Sequence, residues 1–265
     1  MYMFLGTYDA TVNGETCPTQ LEDLPLKKFF DMWYDDKLTT EAEYGKIEAW
    51  DTSLLTDFDS AFMDRDFNND ISKWDTSRVT TMKSTFQRAI QFNGDLSSWS
   101  VRKVTTFNSM FYGATNFNNK IFTDVSSMCT DMTSMFYNAV VFDQDVSIWN
   151  THMVTKMINM FRNAAAFNGN IFREVGSVTN MKNMFYGAIS FNNDYNAVMS
   201  SVWDVSKVSD FNGMFRGTVS LPLSTFNVDI GGWNTSSATN TQLMFSSAAA
   251  FNRNLDNVSK QMVMI

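Results

Sequence analysis

The sequence is poor in the residues that most catalytic and metal sites require. It has two cysteines, one histidine and three prolines among 265 residues, and charged residues make up 18%. No CxxC or Cys/His cluster occurs, so no zinc site is indicated, and no Gly-rich phosphate loop is present. The single histidine, His152, stands at a variable turn position and gives no support to a hydrolase triad. These absences favour a protein without an enzymatic activity and without a cofactor.

Long hydrophobic runs and an excess of positive charge are also missing. No stretch approaches 18 uninterrupted apolar residues, so we expect no transmembrane helix. The start, residues 1–6, lacks a basic segment and its apolar run is too short for a signal peptide. We therefore expect either an intracellular chain or a mature or excised segment. The net charge of −8 argues against nucleic acid and anionic membranes as partners, because both need a basic surface.

What the sequence has in excess is phenylalanine and methionine, 24 and 19 residues respectively. Most of the phenylalanines fall into two columns, the first of which recurs every 24 to 30 residues; Asn usually follows the second Phe, and Trp often stands twelve residues before the first. Eight copies of one pattern indicate a repeat protein. The first column is Phe62, Phe86, Phe111, Phe136, Phe161, Phe185, Phe215 and Phe245, and the second is Phe67, Phe92, Phe117, Phe142, Phe167, Phe191, Phe226 and Phe251. In two units without Trp, Phe122 and Phe172 are candidates for the same slot.

Each repeat is predicted to contain one short helix. Apolar residues such as Met157, Met160, Phe161 and Ala164 follow the i, i+3, i+4, i+7 spacing of one helical face. A Thr or Ser precedes each apolar quartet, where an N-cap is expected. This Thr column is Thr56, Thr80, Thr105, Thr130, Thr155, Thr179, Ser209 and Thr239.

The other half of each repeat is predicted to form a short strand, as in Phe67-Asn-Asn-Asp70-Ile71-Ser72. Strand, turn and short helix at this period favour an α/β solenoid, a leucine-rich-repeat-like right-handed coil with short parallel strands and short helices. A β-helix without helices is the alternative, and it fits the apolar quartets less well.

The sequence divides into four regions. Residues 1–20 are a lead-in. Residues 21–49 are predicted to form an N-terminal helical cap, with Asp23 as its N-cap, followed by a degenerate first repeat. Residues 50–256 hold about eight repeats. Residues 257–265 form a tail or a truncated cap, and an uncovered end there would favour self-association.

The unit Trp74-Asp-Thr-Ser-Arg-Val79-Thr-Thr-Met82-Lys-Ser-Thr-Phe86-Gln-Arg-Ala89-Ile-Gln-Phe92-Asn-Gly-Asp95-Leu-Ser resembles the repeat of the BspA-type leucine-rich-repeat surface-protein family, in its Mycoplasma-type form. The entry into the repeats, Tyr44-Gly-Lys-Ile47-Glu-Ala-Trp50, is similar to that of the family. The resemblance covers about residues 21–256. It implies a non-enzymatic, secreted or surface-attached protein that acts in adhesion or recognition of a protein or glycan, and it does not fix the ligand.

An Asp column marks the strand half of the repeats and is the candidate ligand or calcium face. Equivalent residues in a parallel stack lie about 4.8 Å apart, and Ca²⁺ takes clustered carboxylate oxygens. The alternative is a solvated polar face, since Lys120, Asn170 and Asn254 interrupt the acidic run. A glycosidase pair is disfavoured, because it needs two carboxylates in different environments. The column is Asp70, Asp95, Asp145, Asp194 and Asp229.

The sequence also predicts the roles of three further sets of residues. The Asn that follows the second Phe is predicted to form an internal ladder by bonding the backbone of adjacent repeats. Cys129 replaces an aliphatic residue and is expected to be buried. Asn234 and Asn257 match the glycosylation pattern, which matters only in a secreted protein. Specificity is expected at outward positions, namely Thr81, Lys83, Thr106, Asn108, Lys156, Lys182 and the Asp column.

Three functions remain open from the sequence. The leading hypothesis is a non-catalytic binding or adhesion solenoid with a protein or glycan partner. The second is a structural coat or filament subunit that assembles end to end through its C-terminal end. The third, which is disfavoured, is a solenoid hydrolase.

Overall fold

The computed structural model describes residues 11–12, 15–16, 26–125, 127–192, 198–218 and 225–255. Regular helices and strands in this part of the chain are few and short. Two-residue strands β1 and β2 pair in antiparallel fashion, with Thr11 opposite Thr16. The elements are β1 (Thr11–Val12), β2 (Glu15–Thr16), α1 (Leu26–Asp35), α2 (Lys37–Tyr44), a 3-10 helix at Ile47–Ala49, and α3 (Val198–Ser201).

Helices α1 and α2 lie at the N-terminal end of the repeats. Phe30 of α1 is buried, and its ring centroid lies 4.8 Å from that of Phe62 in the first repeat. The Asp36 carboxylate accepts from the Thr39 backbone N–H and so caps α2. The last turn of α2 ends at Gly45, whose φ of +75° suits a residue without a Cβ. The expected N-cap Asp23 lies outside the described residues.

The prediction of a helix in each repeat is wrong, because these residues form consecutive turns. In the fifth repeat the N–H groups of Met160, Arg162 and Ala164 bond the carbonyl three residues earlier. The N–H groups of the alternate residues, such as Asn159, bond carbonyls of the next repeat. Asn159 and Asn163 have φ of +55° and +56°, values outside the helical region. An α-helix would use every N–H beyond its first turn internally, whereas this alternation leaves half of them to join the repeats.

The expected strand in the other half of each repeat is not formed in the described residues. Residues 67–71, for example, have no regular secondary structure. Parallel pairing occurs instead at single positions directly after the Thr column, as in the bridge of Asp57 with Thr81. This chain of bridges runs through Asp57, Thr81, Thr106, Asp131, Lys156, Asn180, Asp210 and Asn240. The repeats are therefore stacked in parallel, while the leucine-rich-repeat-like right-handed solenoid stays a prediction.

The two Phe columns run through the core of the stack, which also holds buried Trp, Met, Val and Ala side chains. Within a repeat the paired rings lie close together, as in Phe136 and Phe142 with centroids 3.9 Å apart. Between repeats, Phe136 stacks on Phe111 and on Phe161, each at 5.5 Å and within 5° of parallel. Each repeat thus continues the aromatic stack of the one before it, and most of these rings are fully buried.

A third aromatic column holds the tryptophans. Trp99 is buried, and its indole N–H donates to the Ile71 carbonyl of the preceding repeat, 3.1 Å away. Phe122 stacks on Trp149 with centroids 5.5 Å apart, and Phe172 stacks on Trp203 at 5.8 Å. The two phenylalanines therefore fill the tryptophan slot, as the sequence predicts.

Candidate functional site: the outer face of the stacked turns

The carboxylates of the Asp column are used inside their own repeats. Asp70 accepts from the Ser72 backbone N–H at 3.0 Å, and Asp145 accepts from that of Ser147 at 2.8 Å. Asp229 makes the same contact with the Gly231 N–H at 2.9 Å. Each is a side-chain-to-backbone turn of the kind that Asp favours. The column thus serves first to fix a turn rather than to present free carboxylates.

Hydrogen bonds also lower the pKa values of the carboxyl groups in the Asp column. The contact with Ser97 lowers the pKa of Asp95, and the contact with Ser72 lowers the pKa of Asp70. Partial burial acts to raise the pKa of Asp145, but the hydrogen bonds from Asn170 and Ser147 outweigh it, so that this pKa is lowered too. All three carboxyl groups are charged at neutral pH.

The structure does not gather the Asp column into a metal centre in the part of the chain that it describes. No group of three or more His, Cys, Asp or Glu side chains is placed there to hold a metal ion. The neighbouring repeats put a cation or an amide beside the carboxylates instead, with Lys120 Nζ 3.8 Å from Asp95 and Asn170 Nδ2 2.9 Å from Asp145. Asp194, the remaining member of the column, lies outside the described residues.

The Asn column forms the predicted ladder. The Asn68 side-chain oxygen accepts from the Asn93 backbone N–H at 2.8 Å, and Asn93 does the same for Asn118 at 2.9 Å. Asp143 takes the place of Asn in one repeat and accepts from Asn168 at 2.7 Å. The contacts between adjacent repeats are confirmed, but most of these side chains are exposed, so the ladder lies on the surface and is not internal.

The Thr column makes a second ladder and does not cap helices. Both the backbone N–H and the hydroxyl of Thr80 donate to the Thr56 carbonyl, at 2.8 and 3.0 Å. Thr105 repeats this pair of contacts on the Thr80 carbonyl. The N-cap interpretation is therefore wrong, because no helix follows and the partner lies in the preceding repeat. In six members of the column, from Thr80 to Thr239, the hydroxyl proton is thus donated to the backbone.

The outer face of the turns carries the most varied side chains. We define a turn segment as the ten residues of each repeat that begin at the Thr column, for example residues 155–164. Thr81 and Thr106, two of the outward residues expected to give specificity, accept from the backbone N–H two residues later. Lys156 and Lys182 are exposed. Lys83 is also exposed, and its ammonium lies 3.7 Å from Asp59.

Five side chains on this face form a continuous stack that the sequence analysis missed. Tyr112 and Tyr137 stack with centroids 4.6 Å apart. The guanidinium of Arg162 lies between Tyr137 and Tyr186, with its carbon 5.2 and 4.4 Å from their centroids, and Arg216 lies 5.5 Å from Tyr186 on its other side. We call Tyr112, Tyr137, Arg162, Tyr186 and Arg216 the Tyr–Arg ladder. All five occupy the position directly after the first Phe column, and this shared position is the signal for them in the sequence.

Two expectations about single residues can be compared with the structure. Cys129 is buried and free, and burial raises the pKa of its thiol to about 12, so the thiol stays protonated and inert. Asn234 is exposed, and its side chain accepts from the Ser236 backbone N–H. Cys17 and Asn257 lie outside the described residues.

A family match covers all of the stacked repeats. The family described as "Mycoplasma protein of unknown function, DUF285" matches residues 27–139, 124–202 and 174–264. The chain belongs to this family. The successive, overlapping DUF285 matches agree with the repeat organisation read from the sequence. No curated protein and no solved structure matches the chain. Among the residues that the structure describes, no helix has both the length and the apolar character to cross a membrane.

Proposed function

We propose that this DUF285 chain is a non-enzymatic binding protein of the BspA-like surface type, which presents the outer face of its stacked turns to a macromolecular partner. In this proposal the repeats form a right-handed, leucine-rich-repeat-like solenoid. A contrast between the core and the outer face supports the binding function. The core and the backbone contacts are repeated almost unchanged, whereas the residues that face outward from the turns differ from one repeat to the next. Constant cores with variable outer residues are typical of repeat proteins that bind along an extended surface.

The environment of the Asp column supports a binding role over a hydrolase. A hydrolase with paired carboxylates needs one group with a raised pKa as the acid and one charged group as base or nucleophile. Asp70, Asp95 and Asp145 instead share the same contact with the backbone N–H two residues later and the same direction of pKa shift. This uniformity suits a structural role for the column.

The test of this proposal is a binding screen with a variant matched to each face. The whole chain is applied to glycan and protein arrays with and without Ca²⁺, and saturable hits are measured by interferometry. On the turn face the variant is Lys156→Ser/Lys182→Ser, and on the Asp column it is Asp70→Asn/Asp229→Asn. We expect saturable binding that changes with the turn-face variant. The absence of any saturable hit, or binding that neither variant alters, would overturn the proposal.

A further inference from the structure

We propose that the Tyr–Arg ladder binds an acidic polysaccharide, whose carboxylate or sulfate groups meet Arg162 and Arg216 while its hydroxyl groups meet the tyrosine edges. The inference rests on the proposed binding function and names both the surface and the chemical class of the ligand. It depends on five features of the ladder, namely its stacking, its unpaired charge, its position on the chain, the state of its backbone and its spacing.

The stacking leaves only the edges of the interior rungs of the ladder available. Tyr137 has Tyr112 on one face and Arg162 on the other, and Tyr186 lies between Arg162 and Arg216. All five side chains are partly exposed. Bases of single-stranded nucleic acids bind through open aromatic faces, which these interior rungs do not offer. What remains is a row of phenol and guanidinium edges, which are hydrogen-bonding groups.

The two arginines of the ladder lack a carboxylate partner among the described residues. Arg65, Arg88 and Arg102 each form an ion pair with an aspartate. No such pair is formed by Arg162 or Arg216 in the same part of the chain, and the buried Nε of Arg162 has no hydrogen-bond partner. A guanidinium has five N–H donors in a planar fork that suits carboxylates and similar oxyanions. The ladder therefore holds two positive charges whose natural partner is an external anion.

The C-terminal part of the ladder lies where the outer face is basic, although the chain as a whole is acidic. The first turn segment, residues 56–65, carries three aspartates and one arginine. The segments at 155–164, 179–188 and 209–218 together carry Lys156, Arg162, Lys182 and Arg216 against the single acidic residue Asp210. An anionic chain would be attracted to this end of the face and repelled from the first repeat.

The backbone of the ladder is fully used, which favours a sugar polymer over a peptide. The N–H of Arg162 donates to the Asn159 carbonyl, and its carbonyl accepts from Asn138. The other rungs repeat this pattern, with the carbonyl of Tyr186, for example, accepting from Asn163. An extended peptide gains much of its affinity by pairing with free backbone groups, and none are offered here. A polysaccharide is recognised by side-chain donors and acceptors, which this face supplies.

The spacing of the ladder also suits a regular polymer. Stacked parallel segments rise by about 4.8 Å per repeat, so Arg162 and Arg216, two repeats apart, are separated by about 10 Å along the stack. A polysaccharide with one anionic group per disaccharide presents its charges at regular intervals along an extended chain. Binding in this way would place the ligand parallel to the axis of the stack.

The decisive experiment compares two pairs of arginine substitutions with equal loss of charge. Arg162→Gln/Arg216→Gln removes the ladder charges, and Arg78→Gln/Arg173→Gln removes two exposed charges elsewhere. Interferometry of the whole chain uses immobilised heparin, chondroitin sulfate, polygalacturonate, neutral dextran and poly-glutamate. We expect saturable binding to at least one acidic polysaccharide, weaker at high salt, and weakened about tenfold or more by the ladder variant alone.

A third variant distinguishes the loss of a binding contact from a folding defect. Arg162→Lys/Arg216→Lys keeps the charge and the aliphatic stem but loses the planar fork, so we expect affinity between those of the wild type and the glutamine variant. Equal weakening by the Arg78/Arg173 variant, binding to dextran or poly-glutamate as tight as to the acidic polysaccharides, or no binding to any of these polysaccharides would overturn the inference. The proposed binding function would still stand in each case if the array screen gave another saturable ligand that depends on the turn face.

Discussion

At the scale of single residues, side chains make many of the hydrogen bonds between repeats that a continuous sheet makes in other stacked proteins. The Asn column supplies an acceptor for one backbone N–H per repeat, and the Thr column adds a hydroxyl donor to one carbonyl. A typical intramolecular hydrogen bond contributes about 1 kcal/mol. Repetition over eight units makes these small contributions significant for the stability of the stack.

We predict that Asn93→Ala lowers the free energy of unfolding by about 1 kcal/mol, because the Asn118 N–H loses its protein acceptor. Asn93→Asp should change stability much less, since Asp143 already fills the same position in another repeat and accepts from Asn168. Urea unfolding followed by tryptophan fluorescence measures both variants. Equal destabilisation by the two substitutions would contradict the ladder as the source of the effect.

Acid should destabilise the protein through the aspartates that bond turn N–H groups. The pKa values of Asp75 and Asp204 are lowered by hydrogen bonds with Ser77 and Ser206, in the same way as that of Asp70. A lowered folded-state pKa stabilises the protein above the unfolded pKa of about 4, and this contribution is lost as the pH falls through the folded value. We therefore expect the urea midpoint to fall between about pH 5 and pH 3.

The control for this pH effect is Asp75→Asn/Asp204→Asn. Asn keeps the side-chain acceptor for the turn but does not titrate in this range. The double variant should lose less stability on acidification than the wild type. An identical acid dependence in the two proteins would assign the effect to other carboxyl groups.

At the scale of the elements, the turn segments show how one apolar pattern can serve two structures. Apolar residues at i, i+3, i+4 and i+7 suit a helix, but they also suit two successive turns that repeat every four residues. The left-handed positions are four residues apart, as at Asn159 and Asn163 or at Asn183 and Gly187. Asn and Gly tolerate this conformation, but Ser and Arg occupy the same positions in other repeats, as at Ser84 and Arg88. The residue types therefore gave only a partial signal for turns, and the apolar spacing alone could not distinguish turns from a helix.

We predict that Gly187→Ala destabilises the protein by about 1–2 kcal/mol or more. Gly187 has φ of +68°, and an added Cβ would lie 2.4 Å from the Asn163 side-chain oxygen. Gly176→Ala is the matched control, because Gly176 is not left-handed and its nearest non-adjacent atom would lie at 3.6 Å, an ordinary contact. Thermal unfolding compares the two. A Gly176→Ala variant as unstable as Gly187→Ala would argue against the stacked-turn geometry.

At the scale of the whole molecule, the stack is held by interactions between nearest neighbours. Phe136 contacts rings of the preceding and the following repeat, as well as Phe142 in its own. Phe251 contacts Phe226 and Phe245, with no described repeat beyond it. In such a quasi-one-dimensional protein, a central repeat supports both sides of the stack, whereas a terminal repeat supports one.

We predict that Phe136→Ala costs about 3–5 kcal/mol of unfolding free energy, the usual loss for a buried Phe. Phe251→Ala should cost clearly less, because its ring is only partly buried and has neighbours on one side. Urea unfolding measures the pair. A larger loss for Phe251→Ala would show that the terminal repeat is the main support of the stack.

Size-exclusion chromatography with light scattering would then test end-to-end assembly, which a monomer at high concentration would exclude.

The sequence by itself determined the period, the eight repeats, the residues of the aromatic core and the contacts of the Asn column, because identical environments recur at a fixed spacing. Only the tertiary structure decided how the backbone runs. Half of the turn N–H groups bond the next repeat, and these non-local contacts outweigh the local preference for a helix that Met157, Met160 and Ala164 suggest. The same contacts bring residues about 25 positions apart into one row. That is why Tyr137, Arg162 and Tyr186, which share the position after the first Phe column, lie in contact as a ladder.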